Sequence, residues 1–503
     1  MVWTYVAIAF IVYRNISITA RFSRRDLIAI VVILCSLLLS HIPSLQYNLA
    51  GDELYHAEPS SFILSLVKTW VESLPAVPMD IHRQNIWHLF DPRHVAVLDI
   101  SRVISLLVIT IVVCITLILK GIKLRWILWP ALILLAGLTT WYGSRASLDS
   151  NLHPPFRLFP LFVSQTLLGL NNFAFRIPGI MTLGTLCYLN YRLIQGTTTS
   201  TVSFRHLIPS VAICFIPVVF YASEAVEPSI YGFFVMTATL LLGWRFMQTQ
   251  DIRFLVLSGV IIGVGSVMRQ TTIAAWPVII VLFVLSKHRF NLRAALQVFL
   301  PGLLALPYYL MIARHGHYLL VDEGPLLPKL LRSIISGVGP MSILNNATIP
   351  WAVFSLLTLG YALFKAKSKE LALFLAFIPA YIIFHNARSY LWDCGRYQAE
   401  YVAPFIVFAL FLAWRYADKI MRVVFSLAMV FLVGITIELN TNLSLDANYD
   451  KWPQMRITTS ANFPYRDALG YVKRAEAEGR FILLGGQPWY GDMVLWLSGH
   501  TFA

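Results

Sequence analysis

The chain has 503 residues, of which 58% are hydrophobic and only 13% charged, with a formal net charge of +14. Soluble domains carry about 25% charged residues, and a mean hydropathy of +0.69 would force a water-soluble fold to expose large apolar patches. Composition therefore excludes an ordinary soluble globular protein. The basic excess sits in short loops with no separate basic domain, which argues against nucleic-acid binding.

A membrane-spanning helix needs about 20 mostly apolar residues, and backbone polar groups inside a bilayer must pair within the chain, so long apolar runs read as helices. About thirteen such runs occur, near residues 26–46, 100–119, 125–142, 176–193, 207–222, 229–246, 252–268, 271–287, 295–312, 349–366, 370–385, 400–416 and 421–438. The expected architecture is an all-α polytopic membrane protein of about 11–13 transmembrane helices. Residues 1–25 form an N-terminal cytoplasmic segment. Residues 26–438 form the transmembrane domain, with outer loops at 47–99, 143–175, 313–348 and 385–400. Residues 439–503 form a short α/β tail, with a helix over Asp467–Glu478 and a strand over Phe481–Leu484. The run at Met1–Tyr13 is short and followed by its basic residues, so it does not read as a cleavable signal peptide.

Alternate loops are short and basic, carrying Arg21/Arg24/Arg25, Lys120/Lys123/Arg125, Arg192, Arg245/Arg253, Lys287/Arg289/Arg293, Lys365/Lys367/Lys369 and Arg415/Lys419/Arg422. Cytoplasmic loops are enriched in Lys and Arg, so the long loops between them face the periplasm or a lumen. Most acidic residues and histidines lie in those outer loops. A transporter would hold its ionisable residues near the bilayer midplane; here chemistry is expected at the outer surface. Of the five cysteines, Cys35, Cys114, Cys187, Cys214 and Cys394, four lie inside apolar runs. None has metal-ligand spacing, and neither a disulfide framework nor a zinc site is expected. The sequons at Asn15, Asn346 and Asn442 do not fix a secretory origin.

Five clusters could carry chemistry. The first outer loop opens Gly51-Asp52-Glu53-Leu54-Tyr55-His56; a surface carboxylate there can act as general base on a hydroxyl, or simply cap a helix. The second is Asp149 with His153-Pro154-Pro155-Phe156-Arg157, where Pro-Pro forbids regular helix and His and Arg could meet a phosphate or sugar. Arg176-Ile177-Pro178 follows at the mouth of the next span, where Arg can also anchor to headgroups. The third, Tyr221 to Tyr231, includes Glu224 and Glu227. The fourth is Met268-Arg269-Gln270-Thr271-Thr272; an arginine at that depth needs an anion, either a lipid phosphate or a neighbouring acid. The fifth runs from His385 through Arg388, Asp393, Arg396 and Tyr397 toward Pro404. His315-Gly316-His317 and Asp322-Glu323 read as a solvated loop.

Taken in order, these clusters resemble the GT-C superfamily of membrane glycosyltransferases, especially its protein O-mannosyltransferase and aminoarabinose transferase branches. Asp52-Glu53 matches an acidic pair after the first span, His153-Pro154-Pro155 and Arg176-Ile177-Pro178 match two following motifs, and Arg396-Tyr397…Pro404 matches a downstream one. Arg269-Gln270-Thr271 is similar to a motif of lumenal glucosyltransferases in the same superfamily. Two features depart from the pattern: about a hundred residues separate the acidic pair from His-Pro-Pro, and Val226-Glu227-Pro228 stands where an arginine is expected.

The resemblance implies a GT-C-like fold and a sugar transferase using a polyprenyl-phosphate donor, with inversion. Asp52 or Asp149 would be the base, beside Glu53. His56, His153, Arg157, Arg176, Glu224, Tyr231, Arg269, Arg388, Arg396 and Tyr397 would bind the substrate or its phosphate. No metal is demanded, though a divalent ion is compatible. The implied partners are the bilayer, the lipid-linked sugar and a glycan, lipid or protein acceptor. The implied location is a bacterial inner membrane with a periplasmic active face, or the endoplasmic reticulum in a eukaryote. Two alternatives stand beside it: a lipid-linked sugar flippase, and a non-catalytic scaffold subunit with a GT-C-like fold.

Overall fold

The computed structural model describes residues 24–45, 158–168, 172–195, 206–224, 228–299, 301–302, 343–365 and 394–445, together with 474, 477 and 478. All regular structure among them is helical. The helices are α1 (Arg24–Leu45), α2 (Leu158–Leu168), α3 (Asn172–Gln195), α4 (Leu207–Ala212), α5 (Pro217–Glu224), α6 (Ser229–Thr249), α7 (Ile252–Ser266), α8 (Trp276–Val284), α9 (Leu292–Phe299), α10 (Ile343–Lys365), α11 (Cys394–Tyr416) and α12 (Lys419–Leu445). Short 3-10 turns at Ile213–Phe215 and Gln270–Ala275 join α4 to α5 and lead into α8.

Three of these helices are long and apolar enough to cross a membrane: Ser229–Thr249, Thr348–Lys365 and Lys419–Ile437. They occupy different positions in the bundle. The window in α6 is 94% buried, whereas those in α10 and α12 are 33% and 22% buried. A helix apolar on every side must be covered on every side, and α6 is packed against α3, α5, α7, α8 and α11. By contrast α12 presents Ile420, Val423, Leu427, Val430 and Phe431 outward. It is tied to α10 by the Trp351 indole, which donates to Thr436 Oγ1 at 3.0 Å.

Helix direction follows from contacts at both ends. Asp26 of α1 pairs with Arg192 of α3 at 2.6 Å, while His41, fifteen residues further along α1, lies within electrostatic reach of Arg176; α1 and α3 are antiparallel. Gly232 of α6 abuts Glu400 of α11, and Trp244 meets Phe411 edge-on at 4.8 Å; α6 and α11 are parallel. The stretch 206–224 runs antiparallel to α3, with Asn190 donating to Ser210 at 3.1 Å and Gly179 against Ser223. It is broken at Ile216, whose ψ of 119° precedes Pro217, since a residue before proline avoids helical ψ. At that break the Cys187 and Cys214 sulfurs lie 3.5 Å apart.

Ten of the thirteen expected spans coincide wholly or in part with these helices; 100–119, 125–142 and 370–385 lie outside the described residues. Three expectations are corrected. The outer loop 143–175 contains α2, whose eleven residues LFPLFVSQTLL are too few to span but apolar enough to pack on α3. Helices α10 and α11 begin at Ile343 and Cys394, inside the expected loops 313–348 and 385–400, because the polar Asn345-Asn346-Ala347 and Arg396-Tyr397-Gln398 stretches are helical. The tail begins after Leu445, since α12 continues past 438. Within the tail, Glu478 N–H donates to the Arg474 carbonyl at 3.0 Å, one helical turn within the expected 467–478 helix; the expected strand lies outside the described residues.

Candidate functional site

Two buried polar clusters form at one end of the bundle. The first begins where α7 ends. Arg269 adopts an extended conformation, φ −144° and ψ 123°, between the last turn of α7 and the 3-10 turn, so its side chain leaves the helical path. Its Nε and Nη2 donate to Glu400 Oε1 at 2.9 and 2.6 Å. Thr271 Oγ1 donates to the other carboxylate oxygen. Arg269 is 3% exposed and Glu400 is fully buried. A buried carboxylate needs its lone pairs satisfied, and here both oxygens are engaged.

Gly232 makes room for that carboxylate. A Cβ at position 232 would stand 2.6 Å from Glu400 Oε2 and 2.8 Å from Cδ, so α6 must lack a side chain there. The residue before it, Tyr231, is buried beside the pair's helix. Behind Arg269, Thr272 Oγ1 donates to the Arg269 carbonyl at 2.8 Å, closing the turn.

The second cluster joins α1, α3 and α5. His41 Nδ1 lies 2.7 Å from the Leu37 carbonyl and Nε2 lies 2.8 Å from Ser223 Oγ. The carbonyl can only accept, which puts the ring proton on Nδ1 and leaves Nε2 to accept. The ring packs on Phe220, with centroids 4.6 Å apart. Arg176, one turn before Gly179, is fully buried. A Cβ on Gly179 would sit 2.5 Å from the Ser223 carbonyl oxygen; that close approach of α3 to α5 is what brings Arg176, His41 and Ser223 to one place.

Of the residues singled out from sequence, Arg176, Tyr231 and Arg269 are buried at this end. By backbone position Glu224, Arg396 and Tyr397 belong to it as well, Arg396 one turn ahead of Glu400 on α11. Asp52, Glu53, His56, Asp149, His153, Arg157 and Arg388 lie outside the described residues. Of the two anions considered for Arg269, the neighbouring acid is present. Sequence reasoning did not single out Glu400, Gly232 or His41, and it named Thr271 and Ser223 only as members of longer clusters. One signal pointed toward Glu400: a deep arginine requires an anion, and Glu400 is the acid one turn after Arg396-Tyr397. No family model, no curated protein and no solved structure matches this chain.

Proposed function

We propose that the chain is a multi-pass membrane glycosyltransferase that moves a sugar from a polyprenyl-phosphate carrier to an acceptor hydroxyl, with its chemistry at the Glu400 end of the bundle. One observation supports this most: two arginines, Arg176 and Arg269, are buried at the same end of a largely apolar bundle. Cations are expensive there and mark functional sites. The acid-bearing loops attach to that end. Asp52 follows Leu45, the end of α1, by seven residues, so chain length holds it within about 25 Å of that helix end. Asp149 precedes α2 and α3, the latter opening with Arg176.

In the proposed reaction Asp52 or Asp149 takes the proton of the acceptor hydroxyl. The oxygen forms a bond to the anomeric carbon as the bond from that carbon to the phosphate oxygen breaks, inverting the centre. The phosphate leaves with the bonding electrons, and arginines at this end stabilise its charge. Glu400 holds Arg269 in a fixed orientation, so the site is already organised before the donor enters.

A second reading draws on the same pair. Because Arg269 and Thr271 already engage both oxygens of Glu400, the cluster also suits a non-catalytic scaffold subunit in which the pair only locks helices together.

The two readings separate in proteoliposomes loaded with radiolabelled polyprenyl-phosphate sugar. The transferase reading expects sugar release or transfer by the wild type, falling about 10²–10⁴-fold in either Asp52→Asn or Asp149→Asn, with the fold intact. No turnover across a panel of sugar donors and acceptors would leave the scaffold.

A further inference from the structure

The end of the bundle opposite Glu400 carries three exposed pairs of one kind, a cation next to a large apolar side chain. In the turn between α8 and α9, Arg289 precedes Phe290, which is 88% exposed, and the guanidinium lies 4.8 Å from the centre of that ring. At the end of α10, Phe364 is 86% exposed and the Lys365 ammonium lies 6.0 Å from its ring centre. At the start of α12, exposed Lys419 precedes Ile420, which is 76% exposed. Contacts bring the three to one end. His288 Nε2 lies 3.2 Å from the carbonyl oxygen of Gln250, the residue that follows α6. The Tyr361 and Phe425 rings meet at 5.5 Å, joining the end of α10 to the start of α12. Helix α12 in turn follows directly on α11, which runs parallel to α6.

On each element the order from the end inward is the same. The cation comes first, and outward-facing apolar side chains follow: Leu292 and Leu296 on α9, Leu357 and Val353 on α10, Val423 and Leu427 on α12. Such an order marks the level where hydrocarbon begins, because apolar surface leaves water while basic groups keep their charge among headgroups. The turn between α8 and α9 contains no acid. It is held in shape by Ser286 Oγ, which accepts from the His288 N–H at 3.0 Å, and by Asn291 Oδ1, which accepts from the Ala294 N–H at 3.1 Å. The acids described at this end engage other groups. Asp26 pairs with Arg192 at 2.6 Å, Asp251 accepts from Arg253 Nε at 2.8 Å, and Asp418 accepts from the Met421 N–H at 2.8 Å. The exposed rim is therefore both apolar and positively charged.

We infer that these three pairs form a docking surface for an anionic phospholipid leaflet: Phe290, Phe364 and Ile420 enter the boundary between headgroups and acyl chains, while Arg289, Lys365 and Lys419 meet the headgroup phosphates. A leaflet with a negative surface potential attracts each exposed cation. A zwitterionic leaflet covers the apolar half of each pair but offers no net charge to the other half. The surface lies away from the proposed chemistry, so the inference stands with either functional reading.

The test uses the full chain reconstituted in nanodiscs of equal parts phosphatidylglycerol and phosphatidylcholine. Native mass spectrometry of the released protein reads the ratio of the two lipids it retains. Wild type is expected to retain phosphatidylglycerol in clear excess, and the excess should shrink when the discs are equilibrated at high salt, which screens exposed charges. Arg289→Gln, Lys365→Gln and Lys419→Gln should each lower the ratio by up to about fivefold, the equivalent of one cation at a charged surface. The triple variant should retain the two lipids alike. Arg253→Gln removes an exposed cation of the same end that is already bound to Asp251, and it should change the ratio little. Unfolding midpoints check that these surface variants keep the fold. Equal retention of the two lipids by the wild type, or a loss in Arg253→Gln as large as that in Arg289→Gln, would overturn the docking surface.

Discussion

The two ends of this bundle each hold a buried arginine–carboxylate pair, completed in different ways. At one end Arg269 is held by Glu400, 131 residues away in sequence, with Thr271 completing the carboxylate and Gly232 clearing space for it. At the other, Arg192 of α3 donates to Asp26 of α1 at 2.6 Å, 166 residues away, and to Gln195 at 3.2 Å. The first end is self-complementary and rigid. The second shares one guanidinium nitrogen between a carboxylate and an amide oxygen, Gln195 being the last residue of α3. In sequence both look the same, an arginine at the edge of an apolar run; only the fold supplies the partner.

That contrast breaks most readily at Glu400. Glu400→Ala leaves Arg269 buried without its carboxylate, and unfolding in detergent should show a loss of about 3–5 kcal/mol. Replacing both partners, Arg269→Met with Glu400→Leu, should recover most of that loss, because two buried charges are then replaced by packed apolar groups. A neutral Glu400→Ala would mean that water or another cation partner already reaches the site, and the contrast between the ends would disappear.

The smallest effect belongs to Asp251, at the turn between α6 and α7. Gln250 ends α6 with φ 55°, a left-handed conformation uncommon for a residue with a side chain, and Asp251 then caps α7 through the Arg253 N–H. Asp251→Ala should cost about 1 kcal/mol. The hydrogen bond from the Arg253 side chain, ahead of other causes, holds the Asp251 carboxyl below its ordinary value. A depressed carboxyl contributes its full stability above the unfolded value, near 4, and loses it as pH falls below that. The gap between wild type and Asp251→Ala in unfolding midpoint should therefore narrow from pH 6 to pH 3. The charge contribution is small, since the Arg253 side chain is 50% exposed and solvent screens the pair. A gap unchanged with pH would mean that the carboxylate's charge contributes nothing at this turn.

Much of the helical framework was legible because apolar runs and basic loops are local patterns. The runs at 229–246 and 421–438 contain no proline, and α6 and α12 cover them. Helix α2 was not legible: eleven residues fall below the length that marks a span, and only packing on α3 makes them a helix. The expected helix starts were late at α10 and α11 because polar residues at a helix mouth resemble a loop in sequence. Arg269 could be read as a group in need of an anion. Glu400 could not be read as its partner, since nothing in the neighbourhood of residue 400 encodes contact with residue 269. Gly232, which admits the carboxylate, looks in sequence like any helical glycine. The Asp26–Arg192 pair is equally tertiary, joining the starts and ends of two antiparallel helices.

Both site readings rest on one claim, that the two ends of the bundle face opposite sides of a membrane. A cysteine-free background, with Cys35, Cys114, Cys187, Cys214 and Cys394 replaced, allows single cysteines to report each side: Tyr55→Cys after α1, and Gln248→Cys at the arginine-rich end, where Gln248 is exposed. Labelling with a membrane-impermeant maleimide in intact cells should modify the cysteine at 55 and spare the one at 248 until the membrane is opened. Labelling of both from the same side would contradict the account, removing the phosphate donor from its proposed end.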